Sequence, residues 1–208
     1  RISDECNIVI DGGGYVGCQF AVEPDASSAS YPFAAAAVVG GRVCVNGMSS
    51  TMMQGDSRFV DVLRQMGCEV LEDQVGITIS RHANEPLRGV DVDMSQISDL
   101  VPTLAIVAMF AKTPTRIRKV GFIRNKESDR IGDLASEMRS LGAKVVEHED
   151  GLEILPQVLH SGRCDTHHDH RLAMAFGVAG LKQPGVIIGE PQVVGKSWPQ
   201  FWEMLEAL

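Results

Sequence analysis

The hydrophobic residues along the chain form two kinds of helical pattern. Residues 25–39, 99–111 and 169–181 are apolar on nearly every side, which is typical of helices buried on all their faces. Residues 57–66 and 128–141 instead carry their apolar side chains on one face only, as in an amphipathic helix. The pattern therefore predicts three buried helices that alternate with helices at the surface of the protein.

Alternating hydrophobic and polar positions predict β-strands between these helices. Residues 67–80 and 142–155 each read as a hairpin: a glycine, a β-branched strand, an acidic turn with glycine and an alternating strand. Their first glycines, Gly67 and Gly142, are 75 positions apart. A short strand is also predicted after each buried helix, at residues 42–47, 115–120 and 185–190.

These elements predict a repeated unit of strand, buried helix, strand, amphipathic helix, strand and strand. We expect it twice in full, at about residues 22–88 and 89–157, and a third time, at 162–208, where it stops after its second helix. The fold class is therefore α/β. Residues 1–21 fit none of the units, and residues 7–22, "NIVIDGGGYVGCQFAV", are predicted to form a hairpin around a glycine-rich turn.

Polar residues at the predicted helix starts indicate how the helices begin. Asp25, Asp99 and Asp169 each precede a buried helix and are expected to be N-caps. Asn125 and Ser197 are expected to cap the helices that follow them.

Basic residues accompany three of these helix starts. Lys126 and Arg130 are four positions apart and would share one face of a helix, which together with free helix N–H groups would attract an anion. His170 and Arg171 fall in the first turn of the third buried helix, and Lys196 precedes the last helix. The first two sites, taken alone, are equally compatible with a solvated helix start, and Lys196 taken alone is better explained as a surface lysine. If the repeats pack with the same polarity, the cations converge and bind a small, multiply anionic ligand.

Composition narrows the possible partners. The net charge is −8, which argues against a general nucleic-acid or anionic-membrane surface. The five cysteines form no CxxC pair, and His167 and His168 have no zinc-site spacing, so we expect reduced cytoplasmic thiols and no metal. No apolar run is long enough for a membrane span, and no secretory signal pattern opens the chain.

Several motifs resemble one enzyme family, in order and at the expected spacing. They are "EPDASSASY", "MQGDSRFVDVLRQMG", "NKESDR", "HDHRLAMAF" and "GKSWPQF". They are similar to the C-terminal half of the 5-enolpyruvylshikimate-3-phosphate (EPSP) synthases, also called 3-phosphoshikimate 1-carboxyvinyltransferases. The resemblance implies that residues 22–208 form one inside-out α/β barrel of βαβαββ units. Residues 1–21 would resemble the last strands of the family's other domain.

The resemblance also implies an activity. The family transfers the enolpyruvyl group of phosphoenolpyruvate to the 5-hydroxyl of shikimate 3-phosphate and releases phosphate, without a metal or organic cofactor. By resemblance, Asp99 and Lys126 would handle the hydroxyl proton and contact the shikimate ring. Glu127 would exchange the proton of the methylene carbon of phosphoenolpyruvate, with His170 nearby. The phosphoenolpyruvate clamp would be Arg130, Arg171 and Lys196.

The sequence departs from the family pattern at three positions and lacks half of it. Phe122 and His168 stand where asparagine is common, and Glu190 stands where aspartate is common. The family's other phosphate-binding motifs lie upstream of residue 1, so we expect the isolated chain to be nearly inert and to need an N-terminal half as partner. The alternatives are a UDP-N-acetylglucosamine enolpyruvyltransferase-like enzyme and a non-catalytic module of the same fold that binds anions or a partner chain.

Overall fold

The computed structural model describes residues 7, 9, 10 and 12–208. Its α-helices are Ala26–Val39 (α1), Phe59–Gln65 (α2), Val101–Met109 (α3), Gly132–Ser140 (α4), His170–Gly180 (α5) and Phe201–Glu206 (α6). Its strands are Gly41–Asn46 (β1), Glu69–Glu72 (β2), Gly76–Arg81 (β3), Asp91–Asp93 (β4), Thr115–Arg118 (β5), Lys144–His148 (β6), Gly151–Leu155 (β7), Gly162–Cys164 (β8) and Val186–Ile188 (β9). In this part of the chain no helix is long and apolar enough to cross a lipid bilayer.

Three buried helices form the centre of the molecule. α1, α3 and α5 contact one another, and nearly all their residues are buried. Alanine and other small residues fill much of α1 and α5, which lets the helices pack closely. The core therefore joins all three repeat units, as the apolar pattern predicts.

Each unit contributes its own sheet. The first sheet has the order β1-β3-β2 with antiparallel pairs, and the second has the order β4-β5-β7-β6, in which only the β4–β5 pair is parallel. The third is the parallel pair β8-β9. The hairpins β2–β3 and β6–β7 are those predicted from the repeated glycine and acidic-turn pattern.

A glycine begins the second strand of each hairpin for a steric reason. A Cβ atom on Gly76 would lie 2.1 Å from the carbonyl oxygen of Val45, and one on Gly151 would lie 1.9 Å from that of Ile117. Only glycine lets the neighbouring strand approach so closely. The two hairpins thus repeat a packing constraint as well as a sequence pattern.

The structure corrects two predictions about the repeat. The second unit has all six predicted elements, and the third has β8, α5, β9 and α6 in the predicted order of strand, buried helix, strand and helix. The first unit lacks its opening strand, because residues 12–25 contain no strand. The predicted hairpin at 7–22 is absent from the described part of that segment, where the residues are exposed and none belongs to a strand; residues 8 and 11, like 1–6, lie outside the described residues.

Candidate anion-binding active site

The loop before α4 is not the helix start that its charges suggest. Residues 121–125 form a 3₁₀ turn, and α4 begins only at Gly132, so Asn125 is not its N-cap. Asp129 lies just before the helix, where its Oδ1 accepts hydrogen bonds from the backbone N–H groups of Ile131 at 3.1 Å and Gly132 at 2.9 Å. The prediction that Lys126 and Arg130 share a helix face is therefore wrong, because residues 126–130 precede the helix.

Asp99 is likewise not the cap of α3. It lies in the 3₁₀ turn Ser98–Leu100 and makes no capping hydrogen bond. Its carboxylate instead contacts three cations: Lys126 Nζ at 3.6 Å, Arg130 Nη1 at 3.1 Å and Arg171 Nη2 at 2.9 Å. Charge-assisted hydrogen bonds of this kind are roughly twice as strong as neutral ones, which explains the preference.

Glu127 joins the loop before α4 to the last segment of the chain. Its carboxylate lies 2.7 Å from Lys196 Nζ and 2.7 Å from Arg130 Nη2. The hydrogen bond from Lys196, aided by the charges of both cations, lowers the pKa of Glu127 to about 2. Glu127 is therefore ionised at neutral pH.

Lys196 reaches this position from a turn and not from a helix start. It ends the 3₁₀ turn Pro191–Lys196, and α6 begins at Phe201. The predicted N-cap Ser197 makes no capping hydrogen bond and lies four residues before the helix. Trp198 and Phe201, whose rings pack edge to face, belong to the apolar cluster that holds this segment.

Arg130 lies in the interior of the site. Its side chain is only 1% exposed, and the Asp169 side chain beside it is 0% exposed. Asp169 Oδ2 accepts from Arg130 Nε at 2.6 Å, and Oδ1 accepts from Nη2 at 3.3 Å. Asp169 also caps α5 as predicted, accepting from the Arg171 backbone N–H at 2.8 Å. An anion can therefore reach Arg130 only where another acceptor moves aside.

His170 follows Asp169 and is almost completely enclosed. The residue is 5% exposed, and its Nδ1 atom has no hydrogen-bond partner among the described residues. Burial, helped by the positive charge of Arg171, lowers the pKa of the ring below its usual value. His170 is therefore neutral at pH 7 and can exchange a proton only through Nδ1 or Nε2.

The predicted convergence of the cations is confirmed. Lys126, Arg130, Arg171 and Lys196 come from two repeat units and are joined by three carboxylates, those of Asp99, Glu127 and Asp169. We call these seven residues the cationic cluster. Its four positive and three negative charges leave an excess of one positive charge, which suits an anionic ligand.

Other predicted positions lie apart from this cluster. The His168 side chain is 82% exposed and pairs with Glu190 at 3.0 Å, with both residues in the left-handed backbone region. His167 pairs with Glu137 at 3.0 Å, and Phe122 is 52% exposed. In the described part of the chain no group of side chains could hold a metal ion, and Cys18, Cys44, Cys68 and Cys164 are free thiols.

Sequence reasoning missed two residues of the site. Ser128 donates its hydroxyl to Asp169 Oδ2 at 3.1 Å. The hydroxyl of Tyr31 lies beside Arg171, and burial raises its pKa to about 12. Tyr31 reads as an ordinary residue of an apolar helix, and only the packing of α1 on α5 brings it here. Asp169 was predicted only as a helix cap, and its ion pair with Arg130 was not predicted.

Comparisons with known proteins show which family the chain belongs to. The family model for EPSP synthase (3-phosphoshikimate 1-carboxyvinyltransferase) matches residues 2–205. The chain is 47% identical over 191 residues to the 3-phosphoshikimate 1-carboxyvinyltransferase of Trichormus variabilis, covering 92% of this chain and 44% of that protein. It is 48% identical over 197 residues to the enzyme of the same name from Methanoculleus marisnigri, covering 95% and 46%. The chain thus spans about half the length of these relatives.

Solved structures agree with the fold. The EPSP synthase of Acinetobacter baumannii matches with a TM-score of 0.79 and 29% identity, over 94% of this chain and 48% of that one. The enolpyruvyl transferase NikO of Streptomyces tendae matches with a TM-score of 0.69, over 90% of this chain and 43% of that one; at 22% identity this likeness concerns the fold alone. The mixed α/β class predicted from the sequence is confirmed.

Proposed function

The chain belongs to the EPSP synthase family, and because it spans about half of its relatives we propose that it supplies one wall of an enolpyruvyl-transfer site. The reaction transfers the enolpyruvyl group of phosphoenolpyruvate to the 5-hydroxyl of shikimate 3-phosphate and releases phosphate. The observation that carries the proposal is the cationic cluster, where cations that can hold a phosphate and a carboxylate meet carboxylates that can exchange protons.

We assign the anion-binding role to Arg130, Arg171 and Lys196. The Lys196 side chain is 56% exposed and that of Arg171 is 16% exposed, so both can meet a ligand directly. Arg130 would contact phosphoenolpyruvate after Glu127 leaves its Nη2 atom. Planar guanidinium groups bind phosphate and carboxylate oxygens in pairs, which fits a ligand that carries both groups.

We assign the proton transfers to Asp99, Lys126, Glu127 and His170. Asp99 and Lys126 lie 3.6 Å apart with side chains about one-third exposed, and together they would bind the shikimate ring and take the hydroxyl proton. Glu127 must carry a proton to serve the methylene carbon, yet its pKa is about 2 here. A ligand that draws Lys196 and Arg130 away from Glu127 would raise that pKa. Binding of phosphoenolpyruvate would therefore favour the protonated form of Glu127, which is the form that can act as an acid. His170, neutral and buried beside Arg171, would be the second proton carrier.

We further propose the domain organisation that the family implies. Residues 22–208 would form an inside-out barrel of three βαβαββ units around α1, α3 and α5, with the first and third incomplete. Residues 1–21 would belong to the family's other domain, and the opposite wall of the cleft would come from an N-terminal half. The protein would act in the cytoplasm on its two small-molecule substrates, with no added cofactor.

Calorimetry on the 208-residue chain tests the anion site first. We expect phosphoenolpyruvate to bind, and Lys196→Gln to weaken that binding about tenfold, because it removes an exposed cation of the cluster. Lys182→Gln is the matched control. Lys182 is also an exposed lysine, but it follows the C-terminal end of α5, whereas Arg171 of the cationic cluster lies at the N-terminal end of that helix. Equal affinities for the two variants would contradict the assignment.

Phosphate release tests the activity. The chain alone should release almost none from phosphoenolpyruvate and shikimate 3-phosphate, and addition of the N-terminal half of a related synthase should restore turnover. Normal turnover by the chain alone would overturn the one-wall proposal. A preference for UDP-N-acetylglucosamine would favour the alternative transferase, and ligand binding without turnover in the reconstituted pair would favour a non-catalytic module.

A further inference from the structure

The most deeply buried ion pair of the cationic cluster, Arg130–Asp169, suggests a role for Asp169 beyond the helix cap that the sequence predicts. Asp169 is 0% exposed, and both of its carboxylate oxygens are fully used. Oδ2 accepts from Ser128 Oγ at 3.1 Å and Arg130 Nε at 2.6 Å; Oδ1 accepts from Arg130 Nη2 at 3.3 Å and the Arg171 backbone N–H at 2.8 Å. One carboxylate thus serves four donors on two chain segments that are about 40 residues apart.

The geometry of this contact determines where the rest of Arg130 points. Asp169 binds the side of the guanidinium that carries Nε, which fixes the plane of the group. The remaining N–H groups then face Asp99 through Nη1 and Glu127 through Nη2. Those are the edges from which a ligand could displace an acceptor, whereas the Asp169 edge is closed.

The same carboxylate also places Arg171. As the N-cap of α5, Asp169 holds the first turn in which His170 and Arg171 lie, and Arg171 Nη2 then reaches Asp99 at 2.9 Å. The positions of both arginines of the predicted clamp, Arg130 and Arg171, therefore depend on Asp169. The equivalent aspartate before α1, Asp25, caps its helix in the same way, accepting from the Ser28 N–H at 3.1 Å, but it makes no ion pair in the described part of the chain.

We propose that Asp169 is a positioning residue of the anion site, which orients Arg130 and Arg171 without touching the ligand. The inference rests on the proposed function for the identity of the ligand, but the orientation of Arg130 can be tested without any ligand. Asp169→Asn is the informative variant, since asparagine keeps the shape and a capping oxygen but loses the charge and one acceptor.

The pKa of Glu127 can be measured by carbon-13 NMR, with the Glu127 signal assigned from its absence in Glu127→Gln. This pKa would not rise if Asp169 only stabilised the fold. If Arg130 loses its orientation in Asp169→Asn, its contact with Glu127 loosens and the pKa of Glu127 rises from about 2. Loss of the negative charge of Asp169 alone would shift this pKa in the opposite direction. A rise supports positioning, whereas an unchanged or lower pKa overturns it.

Binding of phosphoenolpyruvate and inorganic phosphate then links the residue to the site. We expect Asp169→Asn to weaken both at least about tenfold, and Asp25→Asn, the matched loss of a cap, to leave both within about twofold. Should Asp169→Asn fail to fold, Asp169→Glu, which keeps the charge but displaces the carboxylate, must raise the Glu127 pKa in the same direction. Absence of binding by the unmodified chain would contradict the proposed function, while the Glu127 titration would still decide the positioning role.

Discussion

Two buried arginines at different places in the fold donate their hydrogen bonds to different kinds of acceptor. Arg81, 7% exposed, donates to four backbone carbonyl oxygens, those of Ala37, Val38, His82 and Glu85, near the C-terminal end of α1. Arg130, 1% exposed, contacts three carboxylates instead, those of Asp99, Glu127 and Asp169. Only the second arrangement contains carboxylates, which can bind and release protons.

The difference separates a structural cation from a functional one. The N–H groups of Arg81 satisfy the carbonyl groups of Ala37 and Val38, which would otherwise be unpaired at the end of α1, and a ligand could not take the place of these backbone acceptors. Two of the three carboxylates around Arg130 are partly exposed, those of Asp99 and Glu127, whose side chains are 33% and 32% exposed. An anionic ligand can therefore take their place, and it would find cations already assembled.

The strongest test of the comparison is Arg130→Met, which keeps much of the side-chain volume. It leaves the buried carboxylate of Asp169 without its main partner, so we expect a loss of about 3–5 kcal/mol in the free energy of unfolding. Urea denaturation at neutral pH measures it, and phosphoenolpyruvate binding should disappear in the folded fraction.

Arg81→Met should have a smaller effect and only on stability. The carbonyl groups that Arg81 satisfies lose their donor, at a cost of about 1–3 kcal/mol, and water can replace part of it. Ligand affinity should not change, because the hydrogen bonds of Arg81 go to backbone carbonyl groups and to no residue of the cationic cluster. A larger loss of stability for Arg81→Met than for Arg130→Met would contradict the distinction between the two arginines.

The smallest expected effect concerns acid stability. Because the pKa of Glu127 is lowered from 4.5 to about 2, its ion pairs stabilise the folded protein above about pH 4.5, and this contribution is lost as the pH falls toward 2. Glu127→Gln should therefore flatten the fall in stability over this range by about 1 kcal/mol, since an exposed group is screened. Arg81→Met should keep the slope of the unmodified chain, and an equal change of slope in both variants would argue against a local effect.

Much of the fold was predictable because it depends on local patterns. The buried helices, the two hairpins and their glycines follow from the periodicity of hydrophobic residues and from turn chemistry, and the structure has them within a few residues of the predicted bounds. The hairpin predicted at residues 7–22 is the exception, because alternating side chains indicate a strand but do not ensure that it pairs, and the described residues of that segment form no strand.

The site was predictable in its membership but not in its arrangement. Asp99, Asn125 and Ser197 all look like helix caps in the sequence, yet none of them makes a capping hydrogen bond. Whether an aspartate binds a helix N–H or a cation depends on what lies near it in space. For Asp99 those neighbours are Lys126, Arg130 and Arg171, which are 27, 31 and 72 positions away along the chain.

The sequence by itself determined the repeat, the class of the fold, the excess of cations at three positions and the family to which they point. The tertiary structure alone decided that Arg130 is buried, that Glu127 is ionised and that Asp169 serves both a helix and a guanidinium. The physical reason is that local hydrogen bonds and side-chain periodicity act over a few residues. Ion pairing and burial instead depend on contacts between repeat units, which exist only once α1, α3 and α5 have packed together.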